Sequence, residues 1–533
     1  MKRTTRLTAL TCLVLLVSIC ILTACGSKNT NGIGNVNQTT SSNYIGNVSP
    51  DGTDYNLPAK EDLSVNGDPY VYRAYVRSNY DSKNTMEDGN PAFYCEDFWV
   101  GITNDASDAL EYAVYSRNHE IEETYNVKIK QVPQSGNMVA ELRSFYQNGD
   151  QYDLTIILAK SAAQAATQNL LKDLKSLQHV DLTHDAFDQN SIRELSMGGK
   201  LYYLSGDMNI STMDCCSATM VNLSLYEDLT ETIVEAFGGN LLWEDIYNVV
   251  KAKQWTMDNM LKIAEIATID ANTEDGALGN NSEDRIGYCQ YATSTLYYFY
   301  AAGGRLTDMT EEGYPEFTVQ KPANQDIFDY LYQKFNKHQT NLKIPYGWSG
   351  VINSNFIEKG NTLFAEMGFW GARKNLYMQE TFPYGFLPNP LYEAGEDYHS
   401  LIYFYNTVHL WAIPSLANND YRSQKMLQIM AAYSNVEKPG STMDAYYLRT
   451  LYFVISGPSS GSREVMNMIK DSMVYDIAVL YNWGDWAKAL ERLGEQTYNE
   501  YASLISQIEN KAKPQMQATI DAFRNPSDPN HFN

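Results

Sequence analysis

Strand-like and helix-like segments alternate strictly between Phe98 and Leu158, and that alternation narrows the fold of this 533-residue chain more than any other feature. "FWVGIT", from Phe98, reads as a strand. Leu110, Val114, Ile121 and Tyr125 then fall on one helical face, with Asp105 or Ser107 placed to cap that helix. "VKIKQV" is a second strand, a helix follows to about Tyr146, and "YDLTIIL" is a third strand. A β-α-β-α-β order predicts a doubly wound, largely parallel sheet with ligand sites at the carboxyl ends of its strands. "KLYYL", "SATMVNL", "DRIGYCQY", "TLFAEM" and "YGFLP" are further strand candidates, and the pattern beyond residue 440 is nearly all helical. No internal repeat is visible.

The first residues belong to a different economy. Lys2, Arg3 and Arg6 precede an apolar run broken by threonines and serine, the layout of a secretory leader. The run is shorter than the roughly 20 apolar residues a spanning helix needs. It ends Leu22-Thr23-Ala24-Cys25, which resembles the bacterial lipobox. By that resemblance cleavage leaves Cys25 first and acylated, and more than one acyl chain gives stable anchoring. Residues 25–65 are rich in Gly, Ser, Asn and Thr, the composition of a flexible tether. Forty such residues reach roughly 35 Å. The expected place is the outer face of the cytoplasmic membrane, held through Cys25 alone.

A body of this length exceeds what one core serves, so two or more lobes are expected. Formal charge is −24, and the leader's cations make the remainder more acidic still, which argues against nucleic-acid partners. Cys95, Cys215, Cys216 and Cys289 match neither a disulfide framework nor zinc spacing. Tyrosines number 40 against 18 phenylalanines, with 8 tryptophans. Rings with an apolar face and a polar tip suit sugars, which offer CH faces and hydroxyls, although most of these rings must serve the core.

Five stretches in order carry a family resemblance: "GDQYDLTIIL", "LSMGGKLYYLSGD", "AKQWTMDNMLKIAEIATID", "FIEKGNTLFAEMGFWGAR" with "YGFLPNPLY" and "WAIPS", and "VYDIAVLYNWGDW". The chain resembles family 1 extracellular solute-binding proteins, the lipoprotein receptors of bacterial ABC carbohydrate importers. The resemblance implies an α/β, two-lobed periplasmic-binding-protein-like fold of type II, hinge-connected, with a mostly helical C-terminus. It implies leader 1–24, anchor and tether 25–65, lobe 1 from 66–206 and 384–437, and lobe 2 from 207–383 and 438–533. Crossings are expected at "YLSGD", Tyr203 to Asp207, and "YGFLPNP", Tyr384 to Pro390. It implies a monomer that binds an oligosaccharide between the lobes, closes on it, and serves permease subunits, with no cofactor and no catalysis.

Trp370 in "MGFWGAR" stands where maltodextrin-binding members of that family carry a sugar-stacking tryptophan, or else it is a core residue. Arg373 is a bonding partner for hydroxyls or a surface ion-pair residue. Asn104 and Asp105 follow the first strand, and Lys160 and Ser161 the third, where this fold class places ligand contacts. Capping alone would also explain Asp105. Asp207 and Asn209 stand at the expected hinge. Trp483 and Trp486 in "YNWGDW" join Asn482 and Asp485 as a further aromatic and polar group. "GPSSG", Gly457 to Gly461, matches a G-x-S-x-G elbow, but His531 is the only later histidine, and a loop with Ser462 as helix cap fits too. "DANTEDGALGNNSED", Asp270 to Asp284, has Asp275 and Asn281 where a calcium loop needs glycine and glutamate. A secreted hydrolase, a peptide receptor and a receptor for a sensor are the alternatives.

Overall fold

The computed structural model describes residues 55–77, 98, 109–134, 136–271, 284–291, 294–336, 341–344, 360–366, 368–369, 382–403, 408–452, 460–486, 488–490 and 500–526. In chain order the first elements are β1 (Tyr70–Val76), α1 (Ala109–Tyr125), β2 (Val127–Pro133), α2 (Met138–Asn148), β3 (Leu154–Leu158), α3 (Ala159–Thr167), α4 (Gln189–Glu194) and α5 (Ile210–Asp214). Then come β4 (Thr219–Asn222), α6 (Leu223–Ala236), α7 (Ile246–Lys251), α8 (Met257–Ala267), β5 (Ile286–Tyr291), α9 (Ser294–Ala301), β6 (Thr307–Met309), β7 (Pro315–Phe317), α10 (Pro322–Leu331), β8 (Asn341–Ile344), β9 (Thr362–Glu366) and β10 (Tyr384–Leu387). Last are β11 (Ser400–Leu401), β12 (His409–Ala412), α11 (Asp420–Ser434), α12 (Thr442–Tyr452), α13 (Ser460–Asp471), β13 (Met473–Val474), α14 (Ile477–Tyr481) and α15 (Tyr501–Arg524).

The first sheet has the order β12-β3-β1-β2, with β1 parallel to β2 and β3 and β12 antiparallel to β3. Every residue of β3, "LTIIL", is buried, as a strand covered on both faces requires. Each fully buried Leu or Ile contributes about 1.5–3 kcal/mol. The predicted face of α1 packs inward: Leu110, Val114, Ile121 and Tyr125 are all buried. α2 is closed at both ends, since the Asn137 side chain accepts the Ala140 N–H and Gly149 turns out of the helix at φ 74°.

Three expectations change here. The strand at the sheet's centre beside β2 is Tyr70–Val76, which the sequence reading passed over; of "FWVGIT", Phe98 is buried in the core and the rest lies outside the described residues. Leu57 and Leu63 are buried, so the packed body starts before residue 65 and the tether is shorter than expected. "KLYYL" forms no strand; only Lys200 and Leu204 make single bridges, to Met197 and Trp411.

The second sheet has the order β10-β4-β9-β5-β8. β8, β5 and β9 run parallel, while β4 is antiparallel to both β9 and β10. β10, within "YGFLPNP", therefore belongs to the second sheet, and the return crossing lies later, between Leu387 and His409. Lobe 1 does not resume at 384 as expected. The boundary at 438 also moves, because α12 packs on α1 of the first lobe; Arg117 Nη1 donates to Thr442 Oγ1 at 3.4 Å and Ser434 Oγ at 3.0 Å. α13 packs on β10 and α7, and α14 returns to α3. Between the sheets runs a two-stranded strip, β11 parallel to β13.

Candidate functional site

The carboxyl ends of both sheets converge on the crossing between Asp207 and Ser217. In the first lobe β1 ends at Val76 with half-buried Arg77 next, and β3 leads straight into α3. The antiparallel β12 sets His409 opposite Leu158. Arg77 Nη1 lies 3.4 Å from His409 Nε2. Burial first, and Arg77 second, push the His409 imidazole well below the usual histidine range, so it is neutral. Asn209 Nδ2 donates to the His409 carbonyl at 2.5 Å, and the His409 N–H donates to Ser211 Oγ at 3.0 Å. The crossing is thereby stitched to the first residue of β12.

In the second lobe β9 ends at Glu366, which is buried and accepts the Ser294 hydroxyl at 3.3 Å. Burial pushes its carboxyl up to about 8, so it is a neutral acid at pH 7. Gly368 presses on the crossing; a Cβ there would meet the Asp214 carbonyl oxygen at 3.0 Å and that of Cys216 at 3.2 Å. Phe369 packs on Phe386 with centroids 4.3 Å apart. The Tyr446 hydroxyl donates to Asp214 Oδ1 at 2.8 Å. Tyr297 of α9 and Tyr403 past β11 meet edge to face at 6.0 Å, both half-buried. Tyr403 N–H reaches the Cys215 carbonyl at 3.3 Å. An aromatic pair beside a bonded polar seam can hold a flat ligand with an apolar face and hydroxyl edges.

Lys160 is exposed and Ser161 half-buried in the first turn of α3, at the carboxyl end of β3 as expected. Asp207 and Asn209 stand at the crossing, but as structural residues. Asp207 is 1 % exposed, pairs with Lys470 Nζ at 2.5 Å and accepts the Val436 N–H at 2.8 Å. Asn209 caps α5 through the Thr212 N–H at 3.3 Å. Trp483 and Trp486 are core residues, contrary to the site expectation. Trp483 Nε1 donates to Thr519 Oγ1 of α15 at 3.0 Å, and its ring stacks on Tyr481 at 5.2 Å. Trp486 is fully buried against Phe317. Asn482 at φ 49° and Gly484 at φ 69° bend the chain so that both indoles turn inward.

Asn104, Asp105, Trp370, Arg373 and Cys25 lie outside the described residues, as do Cys95 and most of the 270–284 loop. Ser462 is inside α13 and does not cap it; the helix begins at Ser460, and the rest of "GPSSG" before it is outside the described residues. Among the described residues Cys215, Cys216 and Cys289 are in no disulfide. Among the described residues no three His, Cys, Asp or Glu side chains could hold a metal, and no helix is long and apolar enough to cross a membrane. Sequence reasoning missed Arg77, His409, Tyr297 and Tyr403. The last two sit in "LYYFY" and "LIYFY", twin tyrosine-rich runs that were a readable signal.

No protein-family model matches the chain, and no curated protein matches it by sequence. Among solved structures it is similar to a cyclo/maltodextrin-binding protein complexed with maltotetraose, at 13% identity and TM-score 0.52, covering 85% of this chain and 99% of that one. It is similar too to an extracellular solute-binding protein from Staphylococcus aureus in complex with maltose, at 10% identity and TM-score 0.52, covering 84% and 98%. The fold is the type II binding-protein fold. Two sheets flanked by helices, with a crossing strip between them, are its two lobes and its hinge.

Proposed function

We propose that the chain is a sugar-binding receptor of an ABC transporter, lipid-anchored through Cys25 outside the cell, that holds an oligosaccharide between its lobes and passes it to a permease. The observation that carries this reading is the convergence of both carboxyl edges on one crossing, in a fold shared along nearly the full length of two proteins that hold maltotetraose and maltose. Stacking and hydroxyl bonding suffice for capture, and no bond is made or broken. Trp370 follows directly on Phe369 past the end of β9 and is the residue we assign to stacking. The sequence between Arg3 and Cys25 supports export and anchoring.

The test is a thermal-shift screen of the chain freed of its leader, against maltotetraose and other oligosaccharides, with peptides as controls. A ligand at about 100 times its dissociation constant stabilises the bound form by about 2.7 kcal/mol, enough to raise Tm by a few degrees. A shift with one glycan class, and the glycan recovered intact, is the expected outcome. A shift with peptides alone would sink the sugar reading, and consumed glycan would make the protein a hydrolase.

A further inference from the structure

Both rings of the candidate site are referenced to one strip of backbone. In the β11-β13 strip Leu401 lies opposite Val474, and the Ile402 N–H donates to the Val474 carbonyl at 2.9 Å. Tyr403 and Asp476 each stand two residues past those paired positions. Tyr403 leaves the strip beside the crossing, where its N–H meets the Cys215 carbonyl at 3.3 Å. Asp476 leaves it buried and turns into the second lobe. Its Oδ2 accepts the Tyr300 hydroxyl at 2.8 Å, the Leu306 N–H at 3.0 Å and the Thr307 N–H at 3.3 Å. Its Oδ1 accepts the Thr307 hydroxyl at 2.6 Å and caps α14 through the Ala478 N–H at 2.8 Å. One buried carboxylate thus gathers donors from α9, from the start of β6 and from α14.

We propose that Asp476 is a positioning residue for ligand capture: through Tyr300 it fixes α9 so that Tyr297 stands against Tyr403 before a ligand arrives. The ligand half of this proposal rests on the sugar reading. α9 is eight residues long, too short to hold its own place, so the bonds of its side chains decide how it sits. Ser294 ties its first turn to Glu366 at 3.3 Å, and the Tyr298 hydroxyl meets that of Tyr288 on β5 at 2.5 Å. Tyr300 ties its last turn to Asp476. Tyr297 lies between these ties, edge to face with Tyr403 at 6.0 Å.

One ring therefore comes directly off β11, and the other is placed from β13 by way of Asp476 and α9. Because β11 and β13 are bonded to each other, the two placements share one reference, and the gap between the rings is set in the free protein. A hydroxyl donating to a carboxylate is among the stronger neutral-to-charged bonds, and burial keeps water from replacing it. A ring pair already in place offers an apolar face to a pyranose without first ordering two side chains, and the ordering avoided appears as affinity. Tyr300 itself need not touch the ligand; it acts through Tyr297.

The experiment compares two substitutions that each remove one hydroxyl from Asp476, in the full chain without its leader. Tyr300→Phe cuts the tie to α9, while Thr307→Val cuts a tie to β6 and leaves α9 held. Tyr300→Phe should weaken maltotetraose binding at least threefold by calorimetry, and Thr307→Val should leave it unchanged at a similar loss of stability. In a Tyr297→Ala background Tyr300→Phe should weaken binding no further, since it acts through that ring. Equal effects of the two substitutions, or an undiminished Tyr300→Phe effect in the Tyr297→Ala background, would overturn the proposal. A second arm needs no ligand: nitration by tetranitromethane, mapped by mass spectrometry. The half-buried Tyr297 and Tyr403 should react at least threefold faster in Tyr300→Phe than in the parent, and at the parent rate in Thr307→Val. Faster nitration with no oligosaccharide bound at all would overturn the ligand role together with the sugar reading, and support the positioning of the rings. Unchanged nitration would overturn the positioning, whatever the protein binds.

Discussion

Glu366 ends β9 with its carboxyl buried, and because burial pushes that group up to about 8, the second lobe carries a neutral acid at pH 7 beside the candidate site. An unfolded glutamate titrates near 4.5. The native state therefore holds the proton more tightly, and the contribution is fully present below the unfolded value and lost as pH rises through about 8. Between those limits the slope is at most about 1.4 kcal/mol per pH unit. Glu366→Gln should abolish that slope, leaving a variant more stable than the parent at pH 8, as urea unfolding at pH 5, 6, 7 and 8 would show. A parent whose stability does not fall across that range would remove the assignment. His399 acts in the opposite sense: burial first, then Arg305, lowers it to about 4, so its contribution fades as pH drops from 6.5. Measured from pH 6.5 upward, the Glu366 effect is free of it.

The elbow between α14 and α15 shows how an element assigns a residue its work. "YNWGDW" offers two tryptophans that sequence alone could give to a ligand or to a core. Left-handed Asn482 and Gly484 decide for the core, and a side chain at Gly484 would be strained at φ 69° and crowded, since its Cβ would meet Ile508 and Ala512 at 3.0 Å. Trp483→Ala should destabilise the fold by about 3–5 kcal/mol and leave sugar affinity unchanged. Trp370→Ala should do the reverse, weakening binding by about 2 kcal/mol or more with little change in stability. Calorimetric titration beside denaturant unfolding separates the two, and swapped outcomes would exchange their roles. Elements with strong periodicity were legible: the face of α1, the buried run of β3 and the short strands β4, β5, β9 and β10. β1 was not, because "YVYRAYV" carries a charged residue at its centre that turns Arg73 to the surface side. The polar seam at the crossing was half legible: the positions of Asp207 and Asn209 were readable, but their partners Lys470 and His409 lie hundreds of residues away. No spacing rule reaches that far.

At the scale of the whole molecule, neither lobe is one continuous piece of chain. β3 pairs with β12 only after the entire second sheet has intervened, and Arg117 meets Thr442 across 325 residues. A chain ended at Leu387 contains β1, β2 and β3 yet lacks β12 and α12, which cover them. Such a fragment should be largely unfolded or aggregated, as circular dichroism melts and gel filtration would report; a cooperative, monomeric fragment would contradict the topology. The same threading sets an order of events for a protein that emerges N-terminus first. Its early strands must wait, exposed, until the last third of the chain has arrived, and distant pairings of this kind fold slowly and aggregate readily in the interval. The late return of β12 thus makes assembly a matter of timing, with the surroundings of the newborn chain guarding apolar strands that its own sequence cannot yet cover.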